Sequence, residues 1–368
     1  MQALISQLNP AVALLCAANL FLHLRALAPS RALNARLRHS GDIVALCLAL
    51  IGMALLWEPF TTRWMALVHL NGVLLAWDAL ALLLRGILRA QRARDALRTL
   101  TRRGLAFLLG ALVGAYGIGN MLVIRRTDEA LTTQKAIGEV TVALITDAHL
   151  GGPVDAERLI DVIDRARADG AELLVLGGDI VDENTAPGQL DLLCQLLKRR
   201  TFPKGIFYVF GNHDGTGDGL TMADVEDMLA GAGVTVLNDE AVRIGAHFVV
   251  CGRRPAGEAG RLPARDILQD ANPDEDFILM IDHQPADLQA CADAGCDLHV
   301  SGHTHNGQIW PMNWLARLLH FNQVEYGRAA FGSMTAIVSS GVGGWKFTFR
   351  TAGHSEYVRI SLHGTAEN

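Results

Sequence analysis

The run VTVALITDAH, residues 140–149, decides how this chain is read. Val140–Thr146 is short, β-branched and aliphatic, the composition of a buried strand rather than of a helix. It stops abruptly in Asp147-Ala148-His149, so a strand ends in two groups that bind protons or metal ions. The same succession returns four times downstream. Strands are expected at Leu173–Leu176, Ile206–Phe210, Phe277–Ile281 and Leu298–Ser301. They run into Gly177-Gly178-Asp179, Gly211-Asn212-His213-Asp214, Asp282-His283 and Gly302-His303-Thr304-His305. A further strand is expected at Phe248–Cys251, and helical patterns cover 156–168, 190–198, 223–232 and 286–294. Strands alternating with helices predict an α/β layer fold, whose sites lie at the carboxyl ends of strands. Asp147 and His149 are two apart and face one way on an extended segment, as do His303 and His305. Gly178, Gly211 and Gly302 allow sharp turns that bring the next side chain in.

Asp147, His149, Asp179, Asn212, His283, His303 and His305 supply seven oxygen and nitrogen donors and no thiolate. That set suits Mn, Fe or a zinc-like ion rather than a structural thiolate zinc site. Of Mn, Fe, Zn and Ni, Mn is favoured. Seven donors exceed what one ion takes, so two divalent metal ions are expected, with one carboxylate bridging them. The eight other histidines show no comparable placement.

The order Asp147-x-His149, Gly178-Asp179, Gly211-Asn212-His213-Asp214, His283, Gly302-His303-x-His305 resembles the calcineurin-like metallophosphoesterase superfamily. The longer forms GHTHNGQI (302–309) and SSGVG (339–343) are similar to its membrane-attached bacterial branch, the transmembrane proteins with a metallophosphoesterase domain. The resemblance covers residues 140–362 and implies a four-layer αββα sandwich with two metals. It implies that Asp147, His149 and His305 hold the first ion, that Asp179 bridges, and that Asn212, His283 and His303 hold the second. His213 is then the catalytic histidine, oriented by Asp214. Two departures stand out. Asn306 occupies a position where this branch usually has glycine, and Cys251-Gly-Arg-Arg-Pro255 lacks an acidic residue that relatives often carry. The second departure bears on substrate contacts and not on the ligands.

The first 126 residues are chemically different. They hold 14 Arg, no Lys and 4 acidic residues, net +10, whereas residues 127–368 hold 18 basic and 34 acidic residues, net −16. Four apolar stretches, Leu4–Leu24, Ile43–Trp57, Trp64–Leu84 and Gly104–Ile124, predict a four-helix transmembrane domain over 1–126. Three are near the ~20 residues that cross a bilayer core, and the second is short. Residues 127–139 read as a polar linker. Arg25, Arg31, Arg36 and Arg38 follow the first stretch, and seven arginines from Arg85 to Arg103 follow the third. Basic loops stay on the cytoplasmic side, so residues 127–368 are expected on the periplasmic or extracellular face of the inner (cell) membrane. Arg125 and Arg126 count slightly against this. Asp78, within the third stretch, either pairs across the bundle or marks a functional site. Gly110, Gly114 and Gly117 are expected to pack against a neighbouring helix.

The expected function is hydrolysis of phosphomonoesters or phosphodiesters by a membrane-anchored metal enzyme. Arg253, Arg254, Arg328 and Lys346 are either solvated or contact a second phosphate or head group. The amphipathic segment WLARLLHF, residues 314–321, is either a packed core helix or an interfacial one, and the interfacial reading favours a lipid-linked phosphoester. The net −16 argues against a broad phosphate-binding surface, so nucleic acid is not an expected partner. The alternatives are a hydrolase of nucleotide-linked lipid pyrophosphates, whose substrate is cytoplasmic, and a non-catalytic receptor or transporter, against which the complete ligand set speaks. Cys194, Cys251, Cys291 and Cys296 permit three pairings, with buried free thiols as the expectation.

Overall fold

A computed structural model describes residues 2–27, 35–87, 103–215 and 219–366. The chain divides into two units, Met1–Gly119 and Asn120–Asn368. In the first, helices α1 (Gln2–Leu27), α2 (Ala35–Leu55), α3 (Thr62–Ile87) and α4 (Arg103–Leu122) follow the four apolar stretches. Three of them, α1, α3 and α4, are long and apolar enough to cross a membrane; α2 offers only a shorter apolar part, Ser40–Leu55. Four spans were expected and three are clear, because α2 opens with the polar run ARLRHS. Polar groups in these helices meet across the bundle, as intramembrane polar groups must. Asp78 lies 3.1 Å from His23 Nε2, Asn19 donates to Asn71 at 2.9 Å, and Trp64 Nε1 donates to Asn9 at 2.8 Å. Asp78 is thus a bundle-pairing residue. Of the glycines expected to pack, Gly110 is closely packed, with an added Cβ 2.3 Å from Leu70, whereas Gly114 meets open space. Arg31 and the arginines from Arg89 to Arg102 lie outside the described residues.

The second unit contains two six-stranded sheets. One holds β1 (Ile124–Thr132), β2 (Glu139–Ile145), β3 (Leu173–Leu176), β4 (Ile206–Tyr208), β5 (Thr235–Val236) and β12 (Ser355–His363), in the order β1-β12-β2-β3-β4-β5. The other holds β6 (Glu240–Ile244), β7 (Phe248–Gly252), β8 (Phe277–Ile281), β9 (Leu298–Ser301), β10 (Gly327–Phe331) and β11 (Met334–Val338), in the order β10-β11-β9-β8-β7-β6. Helices α5 (Ala156–Ala168), α6 (Gln189–Leu197) and α7 (Met222–Ala230) accompany the first sheet, and α8 (Ala264–Ile267) and α9 (Leu288–Asp293) the second. A further helix, α10 (Met312–Leu319), follows β9.

Strand alternation explains the layering. All four residues of β3 are buried. Leu173 and Val175 join Val250, Leu279 and Val300 in the core between the sheets, whereas Leu174 and Leu176 join Leu159, Leu193 and other residues beneath the helices. A strand covered on both faces has no polar side, hence its unbroken apolar run. On the outer face of the second sheet Val249, Cys251 and Ile278 meet Ala264, Leu288 and Cys291. The layers are therefore αββα, as the resemblance implied. All six cysteines are free, with the four of this unit buried.

The expected linker is corrected. Ile124–Thr132 forms β1, paired in parallel with β12 from Ile124↔Ser355 to Thr132↔His363. An edge strand shows one face to water, so its charged sequence, IRRTDEALT, conceals it. Leu131 fastens it into the core between the sheets. Only residues 133–138 connect it to β2.

Candidate dinuclear metal centre

Strands β2, β3 and β4 run parallel in one sheet, and β8 and β9 run parallel in the other. Their carboxyl ends therefore share an edge. Backbone bonds tie the turns beyond: Asp147 N–H donates to Gly178 O and Gly302 N–H to His283 O, each at 3.0 Å. The Asp147 carboxylate accepts His303 N–H at 3.0 Å, linking the two sheets.

Two groups of ligand atoms result, Asp147 with His149 and His305, and Asp179 with His283 and His303. His149 Nε2 is 3.3 Å from His305 Nε2, and His305 Nε2 is 3.5 Å from Asp147 Oδ1. Asp179 Oδ2 stands between the groups, 3.0 Å from His283 Nε2 and 3.8 Å from His149 Nε2. Asn212 is exposed and accepts from Gln284 at 3.4 Å.

The backbone achieves this differently from the extended geometry expected of residues two apart. Asp147, His149, Asp179, His303 and His305 all have φ between 46° and 71°. Left-handed backbone costs a non-glycine residue about 1–2 kcal/mol, so strain is concentrated at the ligands. Gly178 serves as a turn residue, with φ +90°. Gly302 serves for close approach, since a Cβ there would lie 2.2 Å from Asp147 Oδ2. Asn306 has φ 50° and ψ 38°, which explains why asparagine can stand at a glycine position.

These residues fit two cations. Metal–donor bonds of about 2.1 Å put neighbouring ligand atoms about 3 Å apart, close to the separations seen. His283 Nε2 is fully buried beside Asp179 without a hydrogen bond of acceptable geometry. The outward nitrogens are held instead, His149 Nδ1 by Asp182 at 3.0 Å and His283 Nδ1 by Gly177 O at 2.9 Å, which leaves Nε2 to ligate. Burial opposes a charge on His283, but the Asp179 and Asp147 carboxylates push it up to about 10. Burial likewise opposes ionisation of Asp179, yet His283 and His149 hold it well below the usual carboxylate range. His303 is lowered to about 4 by burial and by His283. A retained proton thus balances buried acids where cations would otherwise do so.

His213 N–H donates to Asp179 Oδ1 at 2.8 Å, and its half-exposed ring tilts against Trp345 at 5.5 Å. Its Nδ1 is 3.2 Å from Glu183 Oε2, and Lys346 Nζ is 3.3 Å from Glu183 Oε1. Asp214 does not orient His213. It is buried and accepts N–H groups from Gly211 (2.7 Å), Asp179 (2.8 Å), Ile180 and Val181 (both 3.0 Å). Neighbouring side chains on a tight turn diverge, so Asp214 clamps the loops after β3 and β4. Burial and then Asp179 raise it to about 6.

Sequence reasoning missed Asp182, Glu183 and Arg350. The first two stand in the acidic run just after Asp179 and were open to notice. Arg350 carries no such signal. It is fully buried and donates to His305 O (2.9 Å), Ser340 O (3.0 Å) and Gly343 O (2.8 Å), and burial lowers it to about 10. Of the four cations considered for the rim, Arg253 is instead buried against Asp282 and Asp287. Arg254 lies beside Asp239, and Arg328 donates to Ala130 O. Only Lys346 adjoins the His213–Glu183 pair.

Fold and ligand clusters define an αββα domain with two adjacent candidate metal positions. The family model for calcineurin-like phosphoesterase matches residues 140–307. An uncharacterized metallophosphoesterase of Helicobacter pylori (strain J99) is 29% identical over 239 residues, covering 61% of this chain and 60% of that protein. One from Aquifex aeolicus is 28% identical over 268 residues, covering 70% and 98%. A transmembrane protein with metallophosphoesterase domain from Danio rerio is 24% identical over 279 residues, covering 70% and 62%. The chain thus spans 60% of the length of the Helicobacter relative. Residues 140–307 are similar to the calcineurin-like phosphoesterases.

Proposed function

We propose that the chain is a membrane-anchored phosphoesterase that hydrolyses phosphomonoesters or phosphodiesters with two divalent ions, Mn favoured among Mn, Fe, Zn and Ni. The observation that carries this is the pair of buried ligand groups with Asp179 between them, next to His213. Bound ions supply an activated water and neutralise the phosphoryl oxygens. Asp147, His149 and His305 would hold one, Asp179 would bridge, and Asn212, His283 and His303 would hold the other. Asp182 and the Gly177 carbonyl keep the ligating rings in one tautomer. His213, its Nδ1 beside Glu183, would give a proton to the departing oxygen. Trp345 restricts the tilt of its ring, and Lys346 holds Glu183 in turn.

The arginine distribution supports a catalytic domain on the periplasmic or extracellular side of the cell membrane. Substrates there belong to the envelope, and the acidic domain disfavours nucleic acid. A lipid-linked phosphoester is the finer reading. The test uses bis(p-nitrophenyl) phosphate and metal analysis of the purified full chain. His213→Ala should keep two ions and lose about 100- to 1,000-fold in turnover. Asp179→Ala should lose metal and turnover together. Parental rates in both variants would sink the assignment.

A further inference from the structure

Eight large hydrophobic residues described in Asn120–Asn368 are exposed. Five of them, Trp310, Trp314, Leu318, Leu319 and Phe321, fall within twelve residues, each between 51% and 65% exposed. Trp314 and Leu318 are spaced by four, so they share a face of α10, whereas Ala316 turns inward and is buried; exposed Phe321 follows just past the helix end. This settles the two readings of the segment against a packed core helix. Two more of the eight are Leu122 and Val123, where the chain leaves the apolar run Gly104–Leu122.

The patch and that exit share an anchor. Asn120 Nδ2 donates to Gly353 O at 2.8 Å, and Trp310 N–H donates to Thr351 Oγ1 at 3.0 Å, two residues away in the same loop. Gly344 lies between Met121 and Gln308; a Cβ there would stand 2.9 Å from Met121 Sδ and 3.2 Å from Gln308 Nε2. The patch is equally tied to the metal centre. Arg317 donates to Asn306 Oδ1 at 3.1 Å, next to His305, and Gly307 packs so closely on Asn313 that a Cβ would come within 2.5 Å of its Cα.

We infer that residues 310–321 dock into the lipid bilayer beside the exit of the last apolar helix and hold the His303–His305 loop at the head-group layer. Tryptophan and leucine on one face, with a phenylalanine just beyond, are what an interfacial segment buries, and a segment that abuts the point where the chain emerges has lipid within reach. The substrate class that follows is a phosphoester carried on a membrane lipid. This rests on the reading of the chain as a membrane-anchored phosphoesterase.

The full chain, reconstituted in phosphatidylcholine–phosphatidylglycerol vesicles with acyl-brominated lipids, tests the docking without any turnover. The fluorescence difference between the parent and Trp310→Phe/Trp314→Phe isolates these two rings from the other tryptophans. At least half of that difference should be quenched. An unquenched difference, with or without crosslinked dimers that bury the patch between two copies, overturns the proposal. Trp314→Ser/Leu318→Ser should lower the rate on vesicle-borne phosphatidyl-p-nitrophenol at least tenfold relative to the rate on soluble bis(p-nitrophenyl) phosphate. Equal losses on both overturn the lipid-substrate part. If the parent turns over neither ester, the phosphoesterase reading fails, while quenching still decides the docking.

Discussion

At His283 burial and charge pull in opposite directions, and charge wins. The ring is fully enclosed, yet Asp179 and Asp147 push it up to about 10, above the ~6.5 of an exposed histidine. In metal-free protein a folded-state value above the unfolded one stabilises the fold fully below pH ~6.5, and that contribution is lost as pH rises toward 10. Chelated protein should therefore melt lower at pH 9 than at pH 6.5. Because a ligating imidazole must be neutral, metal uptake near pH 7 should release about one proton from this site, seen as buffer-dependent heat in titration calorimetry. A higher melting point at pH 9, or uptake with no proton released, would show that His283 is neutral already. The six residues of the two candidate ligand groups were legible because metal binding restricts residue type and their strands end in apolar-to-polar steps. Arg350 was not, since its approach to the His305 carbonyl depends on where two loops meet in space. Asp214 misled because adjacency in sequence says nothing about side-chain direction on a turn.

Among the elements, those with one buried face were legible and those at the margins were not. Helix α5 has a period of buried residues from Ala156 to Ala166, and Asp155 caps it by accepting Arg158 N–H at 2.9 Å, so its limits could be read directly. Central strands β3, β8 and β9 likewise matched their apolar runs residue for residue. Strands β1, β6 and β10 all lie at sheet edges, where polar residues face water and only backbone pairing defines them. The status of β1 is testable through Leu131, buried at 8% exposure between the sheets. Leu131→Ala should cost about 2–3 kcal/mol, read as a fall of roughly 5–10 °C in the melting of the phosphoesterase unit of the full chain. Gln134→Ala, on the exposed connection three residues on, should leave melting within about 1 °C. Equal melting of the two variants would return the segment to the status of a tether.

For the whole molecule, the side of catalysis is set by which basic loops stay cytoplasmic, and the number of spans decides whether both can. If α1, α3 and α4 cross and α2 does not, one basic loop must fall outside the cell: either the seven arginines from Arg85 to Arg103, with the phosphoesterase domain in the cytoplasm, or Arg25 to Arg38, with the domain outside. If α2 also crosses, both basic loops are cytoplasmic and the domain is outside. The apolar part of α2, Ser40–Leu55, is about 24 Å long at 1.5 Å per residue, against a core of about 30 Å. Local thinning accommodates such a mismatch at fractions of a kcal/mol per Å, a modest total. Leaving either basic loop on the wrong side opposes the strongest determinant of orientation. The arginines just after α4 do not reverse this balance, since Arg126 is paired with Asp128 and Asp169 at 3.1 and 2.9 Å within the acidic domain. The four-crossing arrangement is therefore expected despite its one short helix. Alkaline phosphatase fused after Asn368 should be active in intact cells, and a green fluorescent protein fused there should be dark. The opposite pair of results would overturn that arrangement, with either α2 out of the bilayer core or the whole bundle inverted. Catalysis would then be cytoplasmic, within reach of nucleotide-linked lipid pyrophosphates and cut off from the outer leaflet.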